Sequence, residues 1–556
     1  MNRFEWEIPK EAASDDIVAT ILASRGLDTE AQKVFLNPAY PGLLDGPALY
    51  KSMDRAVARI ALALKKKEKI AVYGDYDIDG LCATTLLYEV LTKAGAETIA
   101  YIPDRFEEGY GLNKGALDHL KAEGVGLVIS VDCGGRSHAE AAYAKSIGLD
   151  LIITDHHEMD DTAPQDAVAV VNPKRADNKP CFTEVAGVTV AFQLVRALQQ
   201  QEVIKLADGQ EKWLLDLVAL ATVCDVVPLL NANRELVYFG LMVLRKSPRA
   251  GIRALCKAAG VEQSNITEED LGFRLGPRLN AAGRMEHARH ALSLLMATDQ
   301  DEAERQAAYL NDLNLQRQAD TKMIYEMASA MARHSEDPIL VLSHPDWSHG
   351  VVGIVASRIV ERYHKPAILL QELPDGTAKG SARSVDGVSI IDAIGDSADL
   401  LTKHGGHQFA AGVTLPAERI EAFRERINKY ASSNVNIAPQ KLVIDAQLQL
   451  QLLALDLLDL LERLRPFGRD NAQPVLASQA TLEDVRWVGA ERKHAQISLS
   501  QSGRNYVRGI SFGAKSWLEA DKQLGQSVQV AYRLRRNNYQ GVDELQLEVL
   551  DIHPAL

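Results

Sequence analysis

Between residues 69 and 171, short apolar runs alternate with segments of helical composition. KIAVYGDYD, ETIAYIP, GLVISVDCG, LDLIITDHH and AVAVVNP are rich in Val, Ile and Leu, while LCATTLLYEVLTKAG, KGALDHLKAEG and HAEAAYAKSIG lie between them. Strands that alternate with helices and are apolar almost throughout predict a parallel, doubly wound α/β sheet covered on both faces. This pattern anchors a domain placed at 45–284. Before it, 1–44 reads as a helical segment packing on the core, broken by the turn-rich FLNPAYPGLLDGP. After it, 285–335 reads as a long connecting helix, since AERQAAYLNDLNLQRQADTKMIYEMASAMARH holds no Pro or Gly. PILVLSH, GIVASRIVERYH and PAILLQE predict a second α/β lobe over 336–435. From 436 to 556, short alternating stretches with turn signals predict a small β-barrel.

Length and charge limit the function classes. A chain of 556 residues with 46% hydrophobic and 24% charged residues can bury several cores, and so is neither collagen-like nor disordered. No apolar run approaches the roughly 18–20 residues of a membrane span. The start, MNRFEWEIPKEAASDD, lacks an apolar signal core. Five cysteines without CxxC spacing suit a reducing compartment, so a cytoplasmic location is expected. The net charge of −14 argues against a wholly basic surface, but leaves room for a local basic groove or a bound cation.

Ligands of doubly wound sheets bind outside the carboxyl ends of the strands. Acids and histidines gather there: Asp75, Asp77 and Asp79 after the first run, Asp132 after VISV, Asp155-His156-His157 after LIIT, and Asp225 after LVALATVC. One such Asp alone reads as a helix cap. A set at successive strand ends reads as one cleft. Converging carboxylates repel and call for a cation, and oxygen ligands with one or two imidazoles suit Mg²⁺ or Mn²⁺. Two such ions can activate a water and stabilise the leaving oxygen of a phosphate ester.

GDYDIDG, VDCG, TDHH and CDVVPL, in this order, resemble the motifs of the DHH phosphoesterase superfamily. GPRLNAAGRM at 276–285, HGVVGIVASRIVERY at 349–363, GSARS at 380–384, HGGHQFAAG at 404–412 and RPFGRDNAQPV at 465–475 narrow the resemblance to its RecJ family of single-strand-specific 5′→3′ DNA exonucleases. The resemblance covers essentially the whole chain, from FLNP at 35–38 onward. It implies two metal ions, Mn²⁺ or Mg²⁺, held by Asp75, Asp77, Asp79, Asp132, His156 and Asp225, with Asp132 bridging them. It also implies catalytic roles for Asp77, Asp79, Asp132, His156, His157 and Asp225. Arg105, Arg278, Asn280, Ser381, Arg383 and His407 match substrate-binding positions, Arg105 for the 5′-terminal phosphate. The 5′→3′ polarity, the release of 5′-mononucleotides, the setting in recombination and repair, and a single-strand-binding protein and a helicase as partners of a monomer all follow from the resemblance alone. The chain departs from the family pattern at Gly135-Arg136-Ser137-His138 and at Ile78, and a C-terminal module of some relatives is not expected.

The barrel resembles an OB-fold. From residue 465 it carries 12 Lys and Arg against 10 Asp and Glu. Trp487, Arg508, Arg533 and Arg535, with Arg492, Lys493, Tyr506, Tyr532 and Arg536, are candidates for a nucleic-acid-binding face that guides a strand. A phosphohydrolase of short oligonucleotides or other small phosphoesters is the alternative, and a barrel of this kind argues against it. A non-catalytic scaffold is the third reading, and the complete ligand set argues against that.

Overall fold

The computed structural model describes residues 3–8, 16–105, 107–180, 182–435, 437–501, 504–518, 523–539 and 541–555. The chain forms two compact units. One comprises Asp45–Val227 and Phe239–Ala438, and the other Met1–Leu44, Pro228–Tyr238 and Pro439–Leu556. Among the described residues no helix is long and apolar enough to cross a membrane.

The larger unit begins with a five-stranded sheet. Its order is Thr98–Tyr101, Lys69–Tyr73, Val125–Val131, Asp150–Thr154 and Ala169–Val171, and every neighbouring pair is parallel. Residues 70–73 are fully buried, as a strand covered on both faces must be. The chain winds outward in both directions from the pair Lys69–Tyr73 and Val125–Val131, which makes the carboxyl ends of those two strands the topological switch point. The helix Ile78–Lys93 follows the first of them. It is apolar nearly all round because the helices Gly187–Gln200 and Leu215–Cys224 both pack on it.

The long helix spans Gln300–Ala332, shorter than the 285–335 expected. Asp299 caps it by accepting from Glu302 N, and a separate helix, Arg289–Met296, precedes it. The Asp at 299 supplies the stop that the alanine-rich composition conceals. It leads into a second sheet ordered Lys403–His407, Ala410–Pro416, Thr377–Arg383, Ala367–Glu372 and Leu340–His344. Only the last pair is parallel, joined by the helix His349–Tyr363.

The other unit contains a closed barrel. The strands Leu476–Val488, His494–Gln501, Arg504–Ser511, Val542–Pro554 and Ser527–Tyr539 pair in that order, and the last returns to the first. The N-terminal helices enter the barrel's own core: Ile17, Val18, Ile21 and Leu22 share one apolar cluster with Leu476, Leu499 and Val530. Pro228–Tyr238 belongs to this unit as well, although it lies inside the first α/β region of the sequence. Arg234 from that segment stacks on Phe35 and donates to the carbonyls of Phe35 and Arg465.

Arg25 fastens the N-terminal helix to the barrel. Its guanidinium donates to Asp445 Oδ1 at 3.0 Å, Asn471 Oδ1 at 2.9 Å and the Ala472 carbonyl at 2.8 Å. Truncation leaves the buried Asp445 and Asn471 short of partners. Arg25→Ala is therefore expected to destabilise this unit by about 2 kcal/mol, read as a lower urea midpoint for the barrel transition.

Candidate metal centre

The loop after Lys69–Tyr73 turns directly into the helix Ile78–Lys93, so three alternate acids are presented at one point. Asp77 is the N-cap: its Oδ1 accepts from Asp79 N at 2.9 Å and Gly80 N at 3.1 Å. Capping and cation binding are compatible, because Oδ2 is left over. Asp79 is buried and receives the amides of Gly187 and Val188 at 2.5 and 2.8 Å, the first turn of another helix. Asp132 sits at φ 60°, a conformation Asp tolerates better than most residues. Gly187 packs against it so closely that a Cβ there would lie 2.6 Å from Asp132 Oδ1. Only glycine lets the second helix start this near the carboxylate.

His156 lies at the centre. Its Nε2 is 3.1 Å from Asp132 Oδ1, 3.7 Å from Asp79 Oδ2 and 3.8 Å from Asp225 Oδ2. Three donor groups form, each with its atoms within 4.8 Å: Asp79 with His156 and Asp225, Asp75 with Asp77 and Asp132, and Asp132 with His156 and His157. Asp75 Oδ1, Asp132 Oδ1 and His156 Nε2 are buried without a hydrogen-bond partner. Buried carboxylates left this way are costly. Burial, with the neighbouring acids, pushes Asp79 up to about 7 and Asp225 up to about 9, and moves Asp75 and Asp132 upward too. Burial, together with the charge of His157, lowers His156 to about 4, so its imidazole is neutral and its lone pair free to ligate. Unpartnered oxygen atoms and a neutral imidazole fit one or more hard divalent cations.

Asp155 is turned away from this ring and orders the loop. It accepts from Gly135 N at 2.7 Å, His156 N at 2.8 Å, His157 N at 3.2 Å and His157 Nδ1 at 2.8 Å. Burial works against a cationic His157, but the bond and charge of Asp155 outweigh it and hold the imidazole at about 9. His157 is thus a fixed positive charge at the lip of the acidic cleft. The phenol of Tyr110, edge-on to His157, lies 3.4 Å from its Nδ1.

A basic rim stands against the acids. Arg105 stacks on Tyr76 and reaches the Gly283 carbonyl at 3.4 Å. Arg284 is held well down, at about 10, by burial and by Arg105, Arg317 and Arg383 nearby. Arg383 and Ser381 lie on the second sheet beside Gly353, where an added Cβ would meet both at 3.2 Å. Arg278 instead points to the long helix, donating to Asn311 Oδ1 at 3.1 Å and to the Arg274 carbonyl at 2.7 Å. Asn280 is half-buried on the same helix as Arg278, and His407 is exposed at the edge of the second sheet.

Known protein families match three stretches of this chain. The DHH family N-terminal domain matches residues 69–222, the DHHA1 domain 316–433 and the RecJ OB domain 444–551. The single-stranded-DNA-specific exonuclease RecJ of Salmonella typhimurium is 35% identical over 563 residues, covering 97% of this chain and 96% of the relative. The chain belongs to the RecJ family. RecJ of Bacillus subtilis is 40% identical over 492 residues, 87% of this chain but 61% of that longer relative. The crystal structure of RecJ in complex with Mn²⁺ from Thermus thermophilus superposes with a TM-score of 0.83 at 28% identity, covering all of this chain and 80% of that one. A divalent cation in a RecJ protein agrees with the donor chemistry above.

Within this RecJ chain, the sequence places Asp155 in the cleft without giving its role, and it does not single out Arg284 and Tyr110. Asp155 was visible in TDHH but its orienting role is not, because that depends on the amides of Gly135 and His157 folding onto it. Arg284 is visible in GPRLNAAGRM as the second of two arginines, following the small residues Ala281, Ala282 and Gly283. On the barrel, Tyr532 is removed from the binding face: it is fully buried, with its hydroxyl 2.7 Å from Ser478 Oγ. Strand alternation forces this, since 532 and 534 point inward while 533 and 535 point out. Arg535 pairs with Glu548, Arg536 with Asp459 and Asp543, and Lys493 with Glu491. Trp487 is half-buried against the barrel core, whereas Arg492 and Arg508 are exposed. Arg533 is half-buried with Nε unpartnered. The Tyr506 side chain and Cys181 lie outside the described residues.

Proposed function

We propose that this RecJ-family protein degrades single-stranded DNA from its 5′ end to mononucleotides, using two divalent cations, Mn²⁺ or Mg²⁺. The observation that carries the reading is the shared position of Asp132. It belongs to a donor group with Asp75 and Asp77, and its Oδ1 lies 3.1 Å from His156 Nε2, which forms the adjoining group with Asp79 and Asp225. Two ions would be held by Asp75, Asp77 and Asp132 on one side, and by Asp79, His156 and Asp225 with Asp132 on the other. When bound, they would supply Lewis acidity at the phosphodiester and at the attacking water.

The protein groups do the rest. Asp155 fixes the His157 ring, and the cationic imidazole faces the negative charge of the scissile phosphate. Arg105, Arg284 and Arg383 would receive the terminal 5′ phosphate, which explains why arginines crowd against one another instead of pairing with acids. The barrel guides the strand through Trp487, Arg508 and Arg533. Partnership with a single-strand-binding protein and a helicase, a monomeric state and work in the cytoplasm during recombination and repair complete the reading.

End-labelled single-stranded DNA, with each end blocked in turn, tests it in Mn²⁺ and in Mg²⁺. Blocking the 5′ end should stop digestion, and blocking the 3′ end should not. Arg105→Ala and Arg383→Ala should each raise KM for 5′-phosphorylated strands about tenfold, with little change for 5′-hydroxyl strands. Preference for dinucleotides over long strands would favour a small-substrate phosphohydrolase instead.

A further inference from the structure

Phe273 is 79% exposed. It lies in Leu271–Leu275, a stretch of π-helix that runs straight into the helix Gly276–Met285. Single exposed apolar side chains are ordinary, but this one has a particular setting. The π-helical turn is seated on the end of the helix that delivers Asp225. The Cys224 thiol donates to the Leu271 carbonyl at 3.5 Å, and an added Cβ on Gly276 would lie 2.6 Å from Cys224 Sγ. Inserted π turns concentrate at functional sites, because they shift the register of one helix face against the rest. Next to Asp225, Val226 is held at φ 59° and is itself 59% exposed. A β-branched residue in the left-handed region is strained.

The helix that follows has one fully buried side and one partly exposed side. Leu279, Ala281, Ala282 and Gly283 are buried, while Pro277, Arg278, Asn280 and Arg284 are not. Within the α-helix, Pro277, Asn280 and Arg284 fall on one stripe. Arg284 stands beside Arg105 and the acidic cleft, and Phe273, one π-helical turn before the stripe, lies about 16 Å away along the axis. A partly exposed face that carries an amide and a cation, preceded by an exposed aromatic ring, has the chemistry of a track for an unpaired strand: charge for the backbone and a ring for the base.

We infer that Phe273 forms a stacking step on which an unpaired base of the incoming strand rests, several nucleotides away from the scissile phosphate. The inference rests on the single-stranded-DNA reading above and adds to it a residue that sets strand-length preference. At the ~3.4 Å rise of stacked bases, about 16 Å is more than a dinucleotide spans. A short substrate therefore should not reach Phe273, and a long strand should.

The test compares wild type, Phe273→Ala and Phe273→Trp on a 5′-phosphorylated dinucleotide and on a strand of about 20 nucleotides. In Phe273→Ala, KM for the long strand should rise about tenfold, as loss of one base–aromatic stack does, with kcat within twofold and dinucleotide turnover unchanged. Phe273→Trp should restore the wild-type KM. A parallel binding assay in EDTA uses strands with 2-aminopurine placed at successive positions. Quenching should peak at one internal position and disappear in Phe273→Ala. Equal KM in all three proteins, equal losses on both substrates, or quenching that ignores the substitution would each overturn the inference. Wild-type protein that binds and quenches the probe but fails to cut the strand would count against the nuclease reading alone.

Discussion

Asp132→Asn is expected to lower single-stranded DNA cleavage by about 10³-fold or more, the several kcal/mol a metal centre contributes to the transition state, while the protein stays folded. Asn keeps the volume that Gly187 packs against and tolerates φ 60°, so the loop has no steric reason to move. What changes is charge. Asp132 is 1% exposed and stands between the carboxylates of Asp75, Asp77, Asp79 and Asp225. Removing one negative charge from that crowd relieves repulsion in the metal-free protein, so its Tm should hold or rise. The same change replaces the anionic carboxylate that two donor groups share with a neutral amide, so the Tm gain on adding Mn²⁺ should shrink. Activity loss, unchanged or higher metal-free Tm and a smaller Mn²⁺ response form the expected triple. Wild-type cleavage rates in the purified variant would remove Asp132 from the centre.

The sequence made the first lobe legible because its strands are short, apolar and punctuated by acids, and because the switch-point rule points at their ends. Asp75, Asp77, Asp79, Asp132 and His156 could be named as one cluster for that reason; Asp225 instead ends the helix Leu215–Cys224, and the structure brings all six together. Composition was a poorer guide to boundaries. The stretch around 285–299 looks helical throughout, yet Asp299 captures Glu302 N and starts the helix afresh. Discontinuous packing was invisible too. Nothing local in PLLNANREL announces that Arg234 will stack on Phe35, nearly two hundred residues earlier, within the barrel unit. On the barrel, charge was readable but pairing was not: Arg535 and Arg536 look like phosphate ligands until Glu548, Asp459 and Asp543 are seen beside them.

Metal-free protein should lose stability as pH rises from about 5 to 9, and Mn²⁺ should reverse most of that loss. The sign follows from the direction of the shifts. An unfolded Asp titrates near 3.9, whereas burial and mutual repulsion raise Asp79 to about 7 and Asp225 to about 9 in the folded protein, with Asp75 and Asp132 also raised. Between those values the folded state holds more protons than the unfolded one, so each step up in pH favours unfolding. Below about pH 4 these groups are protonated in both states and the penalty vanishes. A bound cation takes the place of the protons, so its benefit should grow with pH. At a Mn²⁺ concentration about 100 times its Kd, linkage gives ~2.7 kcal/mol, which for a chain of this size is a Tm rise of several degrees. Thermal melts at pH 5, 7 and 9, with EDTA and with Mn²⁺, measure both trends. His157 adds to the same slope. Asp155 raises it to about 9 in the folded protein, so its stabilising contribution is complete below the unfolded value near 6.5 and fades as pH climbs toward 9. Asp155→Asn should remove that contribution and lower the Tm most at pH 5, with a smaller effect at pH 9. A metal-free Tm that increased steadily from pH 5 to 9 would mean the carboxylates are already paired, and would leave the cleft without its demand for a cation.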